Sequence, residues 1–278
     1  MGLRVHPGRP AQEPEAPVLL LLGWRESPGG PFEETLEEGV AAAARRAGYR
    51  VLRKSLGTLE EAFGLAREGL LRDAVVSYYR PAAELTEASR RLRAEGVRVC
   101  AVDQEVEGLD CVLLDNRAIG RLAARYMFSR RGFRRALIMR RYYLAQAEYE
   151  REEGICEVLQ ELAVGHERVS WMSAFLDREV VCRQLAGFLA AGFRFDLFFC
   201  HLPGLAAEVR AFVKERTGTE PLAVAVGEES ELREHGVDGV AVSPEEMGKR
   251  AVELLMERRQ EPFRKPRTVR LEGRILIP

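Results

Sequence analysis

Lysine is almost missing from this chain, standing only at Lys54, Lys214, Lys249 and Lys265, so arginine carries nearly all the positive charge. Acids are interspersed with those arginines almost everywhere, and the formal net charge is -1. That pattern excludes the concentrated basic face by which a protein reads nucleic acid. No apolar run approaches the ~20 residues of a membrane span. The most apolar opening stretch, VLLLLG from Val18 to Gly23, is too short for the core of a signal peptide, and acids and prolines crowd the residues before it. The histidines are few and scattered, and Cys100, Cys111, Cys156, Cys182 and Cys200 show no CxxC spacing. These absences argue against disulfides, a zinc site or a metal cofactor and point to buried thiols in a reducing cytoplasm. Enzyme fingerprints are missing as well. There is no GxGxxG after the first strand, no GxxxxGK followed by Ser or Thr, no GxSxG and no HExxH.

What is present is alternation. A chain of 278 residues with a hydrophobic share of 46% suits two lobes of ordinary domain size. Residues 1 to 16 read as a Pro-rich linker. Strand-like runs then follow at 18–23, in YRVLRKS, at 73–79, 97–103 and in DCVLLDN. Between them lie helical periodicities, such as the shared face of Leu36, Val40, Ala43 and Ala47. The pattern restarts with a helix through Ile119, Ala123 and Met127 and a strand over Phe133–Met139. A helix at 146–162, a strand at 168–172, a helix at 178–191, the strand FDLFFC, a helix at 205–214 and the strand LAVAVG come next. VDGVAV leads to a last helix capped by Ser243, with Pro244 in its first turn. The strands are too apolar to have a wet face, which predicts an α/β fold of two doubly wound parallel sheets, each covered by helices on both sides.

Open parallel sheets hold ligands at the carboxyl ends of their strands. The residues placed there are Trp24, Tyr78, Tyr79, Arg80 and Asp103 in the first unit. In the second they are Arg140 to Tyr143, Cys200, His201, Glu228 and Glu229. Aromatic faces with a few charged hydrogen-bonding groups suit a pocket for a small polar ligand; the plain alternative is loop residues, with the aromatics plugging a hinge. Glu228 and Glu229 are adjacent and point in different directions, so they make a poor acid/base pair.

Four local signatures in the right order resemble the ligand-sensing core of the lactose-repressor (LacI/GalR) family of bacterial transcription regulators. The first is VxxDNxxxGxxxA, here VLLDNRAIGRLAA from Val112. The second is an arginine three residues before a glycine in a helix, Arg151 and Gly154 in EREEGICEVL. The third is VGFDD, here VGEES, and the fourth is a closing run with Pro, then MGxxAxELL, here VAVSPEEMGKRAVELL with Pro244, Met247 and Gly248 in place. The resemblance implies a fold like the periplasmic sugar-binding proteins, with three crossovers near Asp115, Ser243 and Pro266. Its lobes would be 17–114 plus 244–265 and 115–243 plus 266–278, closing on an effector in the cleft between them. It further implies that Arg151 grips the effector through its planar fork. Phe32 matches an aromatic near the start of the first helix, Asp103 an aspartate after the fourth strand, and Glu229 an effector-binding acid. Glu228 is then expected in solvent. The implied partners are a small-molecule effector, a sugar or related polar metabolite, and a second copy of the chain. DNA is reached only through a headpiece that this chain does not show.

The departures matter as much. Where relatives read ANDxxA, this chain has HLPGLA, so Leu202 and Pro203 replace two hydroxyl-binding residues, and Ala147 replaces a polar one. Each lost polar contact is worth roughly a kcal/mol or more, so the effector is expected to be less polar than a hexose, aromatic or carboxylated, or the cleft to have lost ligand control. A solute-binding protein serving a transporter remains the alternative, against which the missing export signal counts. An enzyme built on Glu228, Glu229 and His201 is a third reading, without a motif to support it.

Overall fold

The computed structural model describes residues 17–23, 31–55, 59–77, 82–129, 133–141, 146–174 and 177–278. The expected linker and the candidate residues Trp24 and Tyr78 lie outside that range. In chain order the elements begin with β1 (Val18–Gly23), α1 (Pro31–Arg46), β2 (Arg50–Ser55), α2 (Leu59–Arg67), β3 (Leu71–Ser77), α3 (Ala82–Ala94), β4 (Arg98–Val102) and β5 (Asp110–Leu114). The second run is α4 (Asn116–Phe128), β6 (Ala136–Arg141), α5 (Gln146–Glu161), β7 (Val169–Ala174), α6 (Arg178–Ala190), β8 (Leu197–Cys200), α7 (Pro203–Thr217) and β9 (Leu222–Glu228). The chain closes with α8 (Glu229–His235), β10 (Asp238–Val242), α9 (Pro244–Gln260), β11 (Thr268–Leu271) and β12 (Arg274–Leu276).

The strands form two six-stranded sheets, ordered β11-β5-β4-β3-β1-β2 and β12-β10-β9-β8-β6-β7. The pairs β1/β2, β1/β3 and β3/β4 are parallel in the first sheet, and β6/β7, β6/β8, β8/β9 and β9/β10 in the second. β5 is buried along its whole length and β4 from its second residue on, as strands with helices over both faces must be. The chain divides into two compact units, Met1–Cys111 with Gly248–Arg267 and Val112–Met247 with Thr268–Pro278. The first sheet buries Leu20, Phe63, Val76, Leu85 and Leu92, and the second Leu137, Met139, Leu185, Phe198 and Val209.

Three elements differ from the sequence reading. β6 starts at Ala136, because Phe133 packs its ring on Phe128 at 5.3 Å between centroids instead of entering the sheet. The residues after LAVAVG turn directly into α8, not a loop. The C-terminal residues supply β11 and β12, short strands with little apolar pattern to announce them. β12 runs antiparallel to β10, Val240 facing Ile275, and Gly273 just before it leaves room that a Cβ would fill at 2.3 Å from Val240 Cγ1.

Asp110, the first residue of β5, is buried to 2% and holds the segment that follows α9. Arg258 donates to it from Nε and Nη2 at 3.0 Å, Arg264 from Nη1 at 2.7 Å and Nη2 at 3.0 Å, and the Arg267 amide at 2.9 Å. Burial alone would raise this carboxyl. The hydrogen bonds from Arg258, Arg264 and the Arg267 amide outweigh it and leave the group below its ordinary 3.8. A depressed folded-state pKa means stability that is fully present above the ordinary carboxylate range and is lost as pH falls through the lowered value.

Asp110→Asn leaves two arginines beside a neutral amide, an uncompensated buried charge worth about 3–5 kcal/mol. Equilibrium urea unfolding should show that loss undiminished from about pH 5 to 8 and narrowing below about pH 4, where the wild-type carboxyl also becomes neutral. A loss independent of pH into the acid range would mean that shape, not charge, holds this segment.

Candidate functional site

The motif residues of the second unit converge where α4 meets α5. Asp115 precedes α4 and accepts the Ala118 amide at 2.9 Å, capping the helix. Its own amide donates to Leu271 O at 2.8 Å. Asn116, the first helical residue, is buried, and its Oδ1 accepts Arg151 Nε at 2.8 Å. The half-buried guanidinium of Arg151 is therefore oriented from α4, through the Asp-Asn pair of the first motif.

The glycines of both motifs have a backbone reason. A Cβ at Gly120 would lie 2.0 Å from Arg151 O, and one at Gly154 would lie 2.1 Å from Arg117 O. The two helices thus touch backbone to backbone, and Arg151 rides on the bare face of Gly120. On the outer side the same helices are laced by arginine–glutamate pairs. Arg117 Nε donates to Glu157 at 2.6 Å, and Arg121 and Arg125 donate to Glu161 at 2.8 and 2.6 Å. Such exposed pairs are each worth ~0–1 kcal/mol, so they align the helices more than they hold them.

At the carboxyl end of β6, Arg140 pairs with the buried Glu152 of α5 and lies 4.8 Å over the ring of Trp171. Burial raises the Glu152 carboxyl, against the opposing pull of Arg140, and the neighbouring Glu148 adds to the rise. Glu148 is buried too and stands near enough to the end of β8 to be felt by Cys200, whose thiol burial pushes up to about 12. That thiol stays protonated at neutral pH and is no nucleophile. His201 follows it, 3% exposed, edge-on to Phe199 with centroids 5.1 Å apart.

The departure HLPGLA has a local consequence. Leu202 occupies the N-cap of α7 without a side-chain cap and is exposed, and Pro203 fills the first turn. Pro203 in turn needs Gly227, where a Cβ would meet its Cγ at 2.5 Å. Just beyond, Glu228 is half-buried, not solvated as expected, and starts α8 with its amide donating to Glu231 Oε2 at 3.1 Å. Glu229 accepts Arg233 Nε at 2.9 Å and pairs with Arg274 of β12. The hydrogen bond from Arg233 is the main reason its carboxyl is lowered. The two neighbouring carboxylates serve different partners, so they share no proton.

Of the residues singled out by sequence, the second unit holds Arg151, His201 and Glu229. Phe32 lies half-buried at the start of α1 in the first unit. Asp103 follows β4 there with φ 63°, one of two non-glycine residues with positive φ among those described. An aspartate tolerates that left-handed conformation because its short side chain can bond locally. Sequence reasoning did not single out Asn116, Glu148, Glu152 or Trp171. The first stood inside a motif, and the two glutamates are spaced by four on one helix, a signal that was available. Among the described residues no three His, Cys, Asp or Glu side chains gather as a metal would require, and no helix is long and apolar enough to cross a membrane.

The sequence matches no protein-family model, and no curated protein matches it. Solved structures do. A regulatory protein of the LacI family from Chloroflexus aggregans superposes with a TM-score of 0.74 at 18% identity, covering 93% of this chain and 96% of its own. A LacI family transcriptional regulator from Enterococcus faecium with bound ribose gives 0.73 at 18%, with 93% and 96% covered. A probable transcription regulator from Thermus thermophilus gives 0.70 at 23%, with 93% and 95% covered. The chain has the two-lobed α/β fold of these regulators.

The close approach of α4 and α5 makes opposite forecasts for two helical glycines. Gly154→Ala forces a methyl against the Arg117 carbonyl and should cost about 1–3 kcal/mol or more in urea unfolding. Gly187→Ala in α6 meets nothing within 4 Å, so the same exchange should stabilise by up to about 1 kcal/mol through helix propensity. Similar effects at the two positions would refute the packing role of Gly154.

Proposed function

We propose that this chain is the effector-binding core of a bacterial LacI-type transcription regulator, acting in the cytoplasm as a homodimer. The observation that carries the reading is Arg151, seated on Gly120 and oriented by Asn116, within a fold whose solved relatives include a regulator with bound ribose. A planar guanidinium with its Nε already committed is a pre-oriented fork for hydroxyls or a carboxylate. DNA would be read by a separate headpiece, since arginines and acids are interspersed over the core. Nothing in the chemistry of the site calls for turnover: the Cys200 thiol is pushed up, and Glu228 and Glu229 are engaged with different partners.

The effector is a small polar molecule poorer in hydroxyls than a free hexose. Leu202 and Pro203 offer no side-chain hydrogen bond where sugar-binding relatives would have an amide and a carboxylate. Arg140, next to last in β6 and stacked on Trp171, instead brings a cation over an aromatic ring near the carboxyl end of that strand. An aromatic or carboxylated metabolite fits that exchange. Phe32, Asp103, Trp24, Tyr78, His201 and Glu229 are proposed as further lining residues.

A thermal-shift screen against sugars, sugar acids, nucleosides and aromatic acids tests this. A ligand at a hundred times its Kd adds roughly 2.7 kcal/mol to stability, a shift of a few degrees for a chain of this size. A hit is expected to vanish in Arg151→Ala. A hit that survives the substitution places the site elsewhere, and silence across all classes means a core that only dimerises.

A further inference from the structure

The first unit contains a cavity at the opposite end of its sheet from the carboxyl ends of the strands, where the effector is proposed to bind. It is a half-open hollow of about 390 Å³, lined by Pro17, Tyr49, Arg72, Asp73, Arg98 and Arg259. Pro17 precedes β1, Tyr49 precedes β2, Arg72 and Asp73 open β3, and Arg98 opens β4, so every one of them sits at the amino end of a strand. Arg259 joins them from the last turn of α9.

The charges in this cavity do not cancel. Asp73 is fully buried and fully engaged, with Arg98 donating from Nε and Nη2 at 2.7 Å each and Tyr49 OH at 2.7 Å. That pair neutralises one guanidinium. Arg72 and Arg259 form no hydrogen bond or ion pair with any other described residue. Among the described residues, three arginines against one aspartate leave a surplus of two positive charges. Arg259 also offsets the negative end of α9, which accounts for one of the two. Arg72 is exposed, lies over Gly69, has no partner among the described residues and lines the same hollow. Lining guanidinia offer parallel N–H donors whose geometry matches phosphate oxygens, and two cations without a partner among the described residues match a dianion. The volume is that of a small-metabolite pocket.

We infer that this cavity is an anion site distinct from the effector site, taking a phosphate dianion, free or as the phosphomonoester of a small metabolite. Arg72 and Arg259 supply the charge, Asp73 and Tyr49 hold Arg98 rigid as the floor, and Pro17 forms part of the wall where the chain enters the sheet.

The probes are inorganic phosphate and glycerol phosphate, titrated at about pH 8 by calorimetry and thermal shift, against sodium chloride at matched ionic strength. Phosphate should raise the Tm beyond the chloride control. The double substitution Arg72→Gln with Arg259→Gln should weaken binding at least tenfold with the circular dichroism spectrum unchanged. Arg151→Ala should respond as wild type, which keeps this site's fate separate from that of the effector reading. A shift with phosphate alone identifies free phosphate as the ligand, and one with both identifies a monoester. An equal shift in chloride, or a phosphate response that survives the double substitution, overturns the inference. So does a response lost only in Arg151→Ala, which would put the phosphate in the effector site.

Discussion

The contact on which the second unit turns is the bare backbone approach of α4 and α5. Two glycines, Gly120 and Gly154, each face a carbonyl of the partner helix where no Cβ could stand. A contact so close cannot slide by a fraction of an ångström without a clash, because packed interiors tolerate little overlap. It therefore sets the position of everything the two helices carry. Arg151 sits in the contact itself, Asn116 reaches it from the start of α4, and Glu152 leans from α5 to Arg140 at the end of β6. The candidate site takes its register from that contact.

Arginine does in this chain what lysine could not. Asp110 and Asp73 are both carboxylates taken almost wholly out of water, and each is met by forks that donate in pairs. A buried carboxylate needs several of its lone pairs satisfied, and one ammonium group cannot deliver two parallel bonds from a single plane. The Asp110 cluster ties the end of α9 and the residues after it to β5, and β5 leads directly into the Asp115 cap of α4. Along the outer faces the same residue forms ladders with glutamate that screen with salt and weigh little. Buried and exposed arginines thus play different parts under one composition.

Much of the fold was legible beforehand. Strands such as DCVLL and LAVAV are apolar on both faces, which only a sheet covered on both sides explains, and their alternation with helical periods dictates parallel pairing. What escaped was short or locally ambiguous. β11 and β12 have four and three residues and hardly any apolar pattern, so their place is set by pairing with distant strands. α8 begins at Glu229 inside a stretch that reads as polar loop, and its start is made by Glu228 and Glu231 capping one another. In the site, Arg151 could be singled out from its motif, but its partner Asn116 lies 35 residues away and only folding joins them.

The sequence by itself determined the class of fold, the order of its elements, the position of Arg151 on a helix and the glycines beside it, because periodicity and backbone freedom are local properties. Only the tertiary structure decided what those residues do. It showed that Gly120 and Gly154 exist for a helix–helix contact, that Glu229 answers to Arg233 and Arg274, and that Asp73 and three arginines share one hollow. Each of these depends on which charges and surfaces the chain brings within a few ångströms of one another. Coulomb and packing forces act over distance in space, and distance along the sequence does not reveal them.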